Sequence, residues 1–284
     1  MIPTYIYLAV TAMLVVGVAD FVFGKAARAG IPYATLACSQ AVFVTLANGL
    51  WAYAAGVYAW SLPFLITAAA AVLFFIAFWS FMRSVSLGEA SVSTPIYRIN
   101  FVAASLMAML FLNEAMTLRK GAGFLLAGIA IFLLSDFRLF HRSSTRISWR
   151  SIFWAIVAMF CMGTMSFLWK IAASWGLPLP MLFHTQAVFF SLISFTFSYV
   201  AQGGPRFTKA GWMYGISVGA LLMLGMGCFY LALGRADVTV VTPIVQLSFV
   251  VSVIMATVWM RERMTARKTI GLVMAAATIA SFSL

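Results

Sequence analysis

The chain has 284 residues, of which 64% are hydrophobic and only 8% charged, with a mean hydropathy of +1.05. Soluble domains carry roughly 25% charged residues, so this chain cannot cover itself with polar surface and reads as a polytopic membrane protein. Its net charge of +12 lies in short gaps between apolar runs, the pattern of topology signalling and contact with anionic lipid headgroups rather than of nucleic-acid binding.

A spanning helix needs about 20 mostly apolar residues. Ten such runs follow one another, at 4–23, 31–54, 62–82, 91–112, 119–134, 152–173, 178–200, 210–233, 238–260 and 268–284. The first lacks a basic leader and runs straight on into further spans, so it reads as a first span and not as a cleaved signal. Cys38, Cys161 and Cys228 all fall inside apolar runs, where cysteine serves as a small packing residue. No CxxC, HExxH, GxGxxG or Walker-type sequence occurs, and no metal or cofactor is expected.

The runs are written twice. Thr94-Pro95-Ile96 returns as Thr242-Pro243-Ile244, Phe101-Val102 as Phe249-Val250, Glu114 as Glu262 and Met116-Thr117 as Met264-Thr265. Lys120 and Gly123 return as Lys268 and Gly271, and Glu89 aligns with Asp237, all at the offset of 148 that separates Pro95 from Pro243. Gly30, Pro32 and Gln40-Ala41-Val42-Phe43 return as Gly176, Pro178 and Gln186-Ala187-Val188-Phe189, at an offset of 146. The duplication divides the chain into a first repeat (1–135), a hydrophilic basic linker (136–150, containing His141) and a second repeat (151–284). Such repeats dictate the fold. Five spans leave the chain on the opposite face, so the second copy lies upside down relative to the first. The expected fold is all-α: ten transmembrane helices as two inverted five-helix repeats around a central cavity, with the substrate site near the midplane where the repeats meet. A chain carrying both halves needs no second copy, and a monomer is expected.

The loops after the odd-numbered spans, with the span ends beside them, hold thirteen Lys and Arg against four on the other face, Arg119, Lys120, Lys170 and Arg235. The positive-inside rule then puts the richer set in the cytoplasm and both termini outside. Gly211, Gly215 and Gly219, and Gly123 with Ala127 repeated as Gly271 with Ala275, have the small-residue spacing of close helix approach in lipid.

The pattern Gly88-Glu89-Ala90-Ser91, Pro95, Asn113-Glu114, Met116-Thr117, Gly121 and Gly123, with its second copy from Gly234 to Gly271 and with Lys25 and Lys170 at span ends, resembles the drug/metabolite transporter superfamily in its ten-span EamA-like branch. That resemblance implies alternating access by a basket of ten helices in a cell's inner membrane, usually exporting amino acids, aromatic ones among them, or other small metabolites. In the small multidrug resistance relatives a first-helix acidic residue handles protons and cations. By that analogy Asp20 would serve coupling, or a cationic drug.

Asp20 and Arg98 are the ionisable residues standing well inside spans one and four, about 5 Å and 10 Å from the same face at 1.5 Å per residue. Charges there must face the protein interior or water. Two readings stand: an Asp20–Arg98 ion pair joining two helices, or Arg98 holding a substrate carboxylate in its two-donor fork. The repeat counterpart of Arg98 is Gln246, and that of Asp20 falls at about Met165. Pro95 and Pro243 are expected to kink spans four and nine and free carbonyls toward the interior. Asn100 and its repeat partner Ser248 are candidate lining residues, as are Gln40, Gln186, Trp79, Trp169 and Tyr230. His184 is either a proton carrier or a histidine bonded to a carbonyl. Trp51, Trp60, Trp149 and Trp212 suit interfacial belts. Glu114 and Glu262 suit helix-start donors or a nearby basic residue. Prenyl- or phosphotransferase chemistry would need clustered carboxylates, and six scattered acidic residues supply no pair. A receptor or scaffold would need a larger extramembrane surface.

Overall fold

The computed structural model describes residues 3–57, 62–87, 90–134, 148–260 and 265–283. Glu89, Glu262, Trp60, His141 and most of the connecting linker lie outside them. Every regular element among the described residues is a helix: α1 (Thr4–Arg28), α2 (Tyr33–Ala54), α3 (Leu62–Leu87), α4 (Ala90–Arg98), α5 (Asn100–Leu112) and α6 (Leu118–Leu134), then α7 (Trp149–Ser174), α8 (Leu179–Gln202), α9 (Lys209–Leu233), α10 (Val238–Gln246), α11 (Ser248–Met260) and α12 (Ala266–Ser283). Among the described residues eight spans are long and apolar enough to cross a membrane by themselves, α4–α5 and α10–α11 each counting as one. The two remaining, α6 and α12, are shorter, at 17 and 18 residues, and pack on each other.

Hydrocarbon offers the backbone no hydrogen bonds, so an apolar chain saturates its own by coiling. The ends are set by local chemistry that the two repeats share. Gly30 and Gly176 take the left-handed conformation (φ 72° and 69°) that ends α1 and α7, and Pro32 and Pro178 then stand at the starts of α2 and α8. Thr208 and Ser148 accept from the backbone N–H of Gly211 and Ser151, capping α9 and α7.

Spans four and nine are each broken in two. The interruptions fall at Ile99 and Leu247, again 148 apart, where the Ile99 N–H is shared between the Pro95 and Ile96 carbonyls and the Leu247 N–H turns to Ile244. Pro95 and Pro243 withhold a donor from the preceding turn, and the break itself comes one turn later than the kink the prolines alone would give.

The repeats embrace by exchange. Helix α1 packs on α9, α10 and α11, while α7 packs on α3, α4 and α5; α2 pairs with α8, and α6 with α12. This reciprocity is that of a two-fold axis, and the odd number of spans per copy makes it an inverted repeat. Contact is backbone-close where side chains are missing. A Cβ on Gly17 would collide with the Ser248 carbonyl of the α10–α11 break, and one on Gly163 would come within 2.7 Å of the Asn100 carbonyl at the α4–α5 break. Gly211 and Gly215 sit as tightly on Thr35 and Ser39 of α2, and Gly123 on Phe282. Because Gly17 and Gly163 occupy equivalent places, spans one and six align at an offset of 146. The counterpart of Asp20 is therefore Ser166, one residue beyond the sequence assignment.

Candidate functional site

Between the repeats lies a cavity of about 180 Å³. Its walls come from both repeats: the second halves of α1 and α3, the first half of α2 and the end of α4, on the side nearest Lys25, Arg28 and Arg83, with residues of α7, α8, α9, α10 and α11 completing them. Asp20 and Arg98 meet on its wall. The guanidinium donates through Nη2 to Asp20 Oδ2 at 2.7 Å and through Nη1 to the Ser248 hydroxyl at 2.9 Å. Ser248 in turn lies 3.4 Å from the same carboxylate oxygen. One cluster thus ties the first helix, the α4 end and the α11 start together across both repeats. The Phe249 ring lies under the guanidinium at 5.8 Å. The Arg98 side chain is 14% exposed and that of Asp20 32%, and Arg98 Nε is buried with no hydrogen-bond partner among the described residues. Asp20 therefore occupies only part of the donor fork. Nη2 and Nε together form an edge that a carboxylate can take with both oxygens.

Around this pair stand aromatic rings. Tyr33 and Phe78 stack at 4.9 Å, Phe23 meets Phe78 edge-on at 5.9 Å, and Phe81 leans on Tyr97 at 4.7 Å. Gln246, Thr94 and Ser166 add polar atoms to the lining. A second cavity of about 90 Å³ adjoins the first, sharing with it Gln40, Phe74, Phe190, Leu222 and Met226. Gln186 and Trp169 line this second space and bond to one another, indole Nε1 to Oε1 at 3.1 Å.

Other residues proposed from sequence stand away from both cavities. Asn100 is fully buried and its amide donates back to the Tyr97 carbonyl at 3.0 Å, serving the helix break. Trp79 packs edge-on against Trp154 at 5.0 Å. Tyr230 is 4% exposed, and its hydroxyl donates to the Leu177 carbonyl at 2.7 Å before α8, as a buried phenol requires. His184 lies against Gly49, where a Cβ would stand 3.2 Å from the ring. The residues that sequence reasoning missed are Phe23, Tyr33, Phe78, Phe81 and Tyr97, with Thr94, Ser166 and Asn48. Thr94 was legible one helical turn before Arg98, and Asn48 two turns after Gln40 on the same face.

Glu114 closes the face away from the basic ends. Its carboxylate accepts from the Val238 and Thr239 N–H groups at 2.9 and 3.1 Å and from the Thr239 hydroxyl at 2.9 Å. It caps α10 from the other repeat. Lys120 adds an ion pair to Asp237 at 2.6 Å, and Lys170 donates to the Leu233 and Ala236 carbonyls at the end of α9.

Two five-span copies exchanging helices around an interior cavity, each with a broken helix pointing into it, are the architecture of membrane transporters. The chain belongs to the EamA-like transporter family, which it matches over residues 3–136 and again over 149–284. A solved structure described only as "Crystal structure of protein" superposes on 100% of this chain and 99% of its own, with a TM-score of 0.85 at 11% identity. At that identity the likeness bears on the fold alone. No curated protein matches the sequence.

Proposed function

We propose that the chain is a secondary transporter exporting a small carboxylate-bearing metabolite of amino-acid type, by alternating access across a cell's inner membrane. The observation that supports this most is the Arg98 guanidinium, held between Asp20 of one repeat and Ser248 of the other, with the Nη2–Nε edge incompletely taken. An arriving carboxylate competes with Asp20 for that edge. Exchange of one carboxylate for the other loosens the contact between α1 and α4, and Asp20, once released, is the group able to take a proton. The rings of Phe23, Tyr33 and Phe78 suit an apolar or aromatic body. The monomer carries both halves of the site. Its cavity opens to the cytoplasm if the basic ends lie there, which puts both termini outside.

The test is reconstitution in liposomes with labelled amino acids, amines and organic cations. Arg98→Lys keeps the charge and loses the fork, so folded yield should survive while uptake of carboxylates falls by tenfold or more. Full transport by Arg98→Ala would end this reading. A cationic substrate at Asp20 is the second reading, favoured by the exposure of that carboxylate among aromatic rings. It requires Asp20→Asn to abolish uptake of cations while Arg98→Lys spares it. Labelling a cysteine in the 136–150 linker from outside the cell would reverse the orientation.

A further inference from the structure

The second cavity has polar chemistry of its own. Asn48 is 3% exposed and lines it. The amide nitrogen of Asn48 is taken by the Val44 carbonyl of its own helix at 2.7 Å, and its Oδ1 is buried without a partner among the described residues. A buried acceptor left without a donor is costly, so a native cavity that keeps one has a donor to receive. Gln186 supplies the complement. Its Oε1 is occupied by the Trp169 indole, while its Nε2 reaches, among the described residues, only the Met165 sulfur as a hydrogen-bond acceptor, at 4.0 Å. The space therefore offers the Asn48 acceptor and the nearly free Gln186 donor, with the Gln40 amide in the wall it shares with the first cavity, and none of its lining residues carries a formal charge.

The two cavities share five residues, and the Phe74 and Phe190 rings, 5.5 Å apart, stand in the shared wall. A molecule held at Arg98 in the first space thus has its far end directed toward the second. We propose that this second cavity is a subsite for the uncharged, hydrogen-bonding far end of the transported molecule, a hydroxyl or a carboxamide, with Asn48 Oδ1 as acceptor and Gln186 Nε2 as donor. This rests on the reading of Arg98 as the carboxylate anchor. A charged far end is excluded, since nothing in the cavity would neutralise it.

Matched probes test it: tyrosine against phenylalanine, glutamine against norleucine, and glutamate as the charged control, each competing for uptake in proteoliposomes. In the wild type the hydroxyl or carboxamide member of at least one pair should compete roughly tenfold or more better than its apolar partner, because a site built to pair a polar group discriminates against the analogue lacking it. Asn48→Leu should bring the better member down to the level of its partner. Gln186→Leu should do the same, and carries the test if Asn48→Leu fails to fold. No preference in the wild type, a preference unchanged in both variants, or glutamate competing as well as glutamine would overturn the subsite. The anchor is judged separately by Arg98→Ala. Loss of all uptake there, beside unaltered preference in Asn48→Leu, sinks the subsite alone. Full uptake there, beside levelled preference, sinks the anchor alone.

Discussion

Helices α4 and α10 are copies of one another, each with Thr-Pro-Ile before its break, yet they lie in opposite surroundings. In α10 eight of nine residues are buried, and it is pressed between α1, α5 and α6 with its first turn gripped by Glu114. In α4 only Ser93 and Pro95 are buried of the seven residues whose burial is described, and the helix lines the cavity through Thr94, Tyr97 and Arg98. It is held instead by a hydroxyl cluster, Ser84 to Ser93 at 2.7 Å and Ser84 to the Ser151 carbonyl at 2.7 Å, whose equivalents near α10 are Ala232 and Val241. On the proposed alternating-access reading, this structural asymmetry between copies of one sequence corresponds to one face sealed at α10 and the other open beside α4. The chemistry is unsymmetrical too, since Arg98 faces the cavity from α4 where α10 offers Gln246.

The sharpest way to break that comparison is to erase the chemical difference. Arg98→Gln makes the end of α4 match the end of α10 and leaves Asp20 without its cation. Truncating one partner of a buried, hydrogen-bonded charge pair costs about 2–5 kcal/mol, so uptake in proteoliposomes should fall by roughly 10²-fold. Adding Gln246→Arg should not restore it, because Ser166 stands where α1 has Asp20. Restoration would mean the two half-helices are interchangeable and the asymmetry functionally empty.

Next in size is the packing beneath the breaks. Gly17→Val and Gly163→Val each force a side chain into a backbone carbonyl, at Ser248 and at Asn100, and overpacking costs about 1–3 kcal/mol or more. Both should lower the thermal midpoint in detergent. Gly227→Ala is the control, since its Cβ would meet the nearest atoms at an ordinary 3.7 Å, and its midpoint should hold. A Gly17→Val protein as stable as wild type would show that the close contact at α11 is dispensable.

These glycines also mark what was legible in the sequence. The duplication, the span count and the inversion could be read because whole blocks recur at constant offset, and the family match and the helix exchange accord with them. Depth put Asp20 and Arg98 within reach of one another should their spans be neighbours, and left an ion pair and a substrate grip both open. The breaks at Ile99 and Leu247 were not legible, because the proline signal lies a turn earlier and the break depends on α1 and α7 pressing their glycines onto it. Trp79, Trp169 and Tyr230 could not be sorted from sequence. Helices apolar on every side have no amphipathic face to say which ring points inward, and only the tertiary packing separates Trp169 beside Gln186 from Tyr230 in the core.

A smaller change tests the seal on α10. Glu114→Gln keeps the shape and removes the charge that satisfies two N–H donors and complements the helix start, a loss of about 1–2 kcal/mol. On the alternating-access reading this weakens one closed face. A cysteine at Thr242, in a background lacking Cys38, Cys161 and Cys228, should react faster with a water-soluble maleimide in the Glu114→Gln protein than in its parent. Lys120→Met should do less, because Asp237 is about half exposed and such pairs contribute about 0–1 kcal/mol. Equal labelling with and without the Glu114 charge would reduce that carboxylate to a local cap.

The smallest expected effect separates core from cavity. Tyr230 and Trp169 are near neighbours, ring centroids 6.1 Å apart and edge to face, yet only Trp169 lines a cavity. The hydroxyl of Tyr230 is spent on the Leu177 carbonyl, in the turn between α7 and α8. Tyr230→Phe should therefore lose one buried hydrogen bond, about 0.5–1.5 kcal/mol, and lower the thermal midpoint by a few degrees without altering which probes compete for uptake. Trp169→Phe frees the Gln186 carbonyl oxygen into the second cavity and should alter selectivity at similar cost in stability. The reverse outcome, with selectivity moving in Tyr230→Phe and not in Trp169→Phe, would place the substrate on the other side of that ring pair.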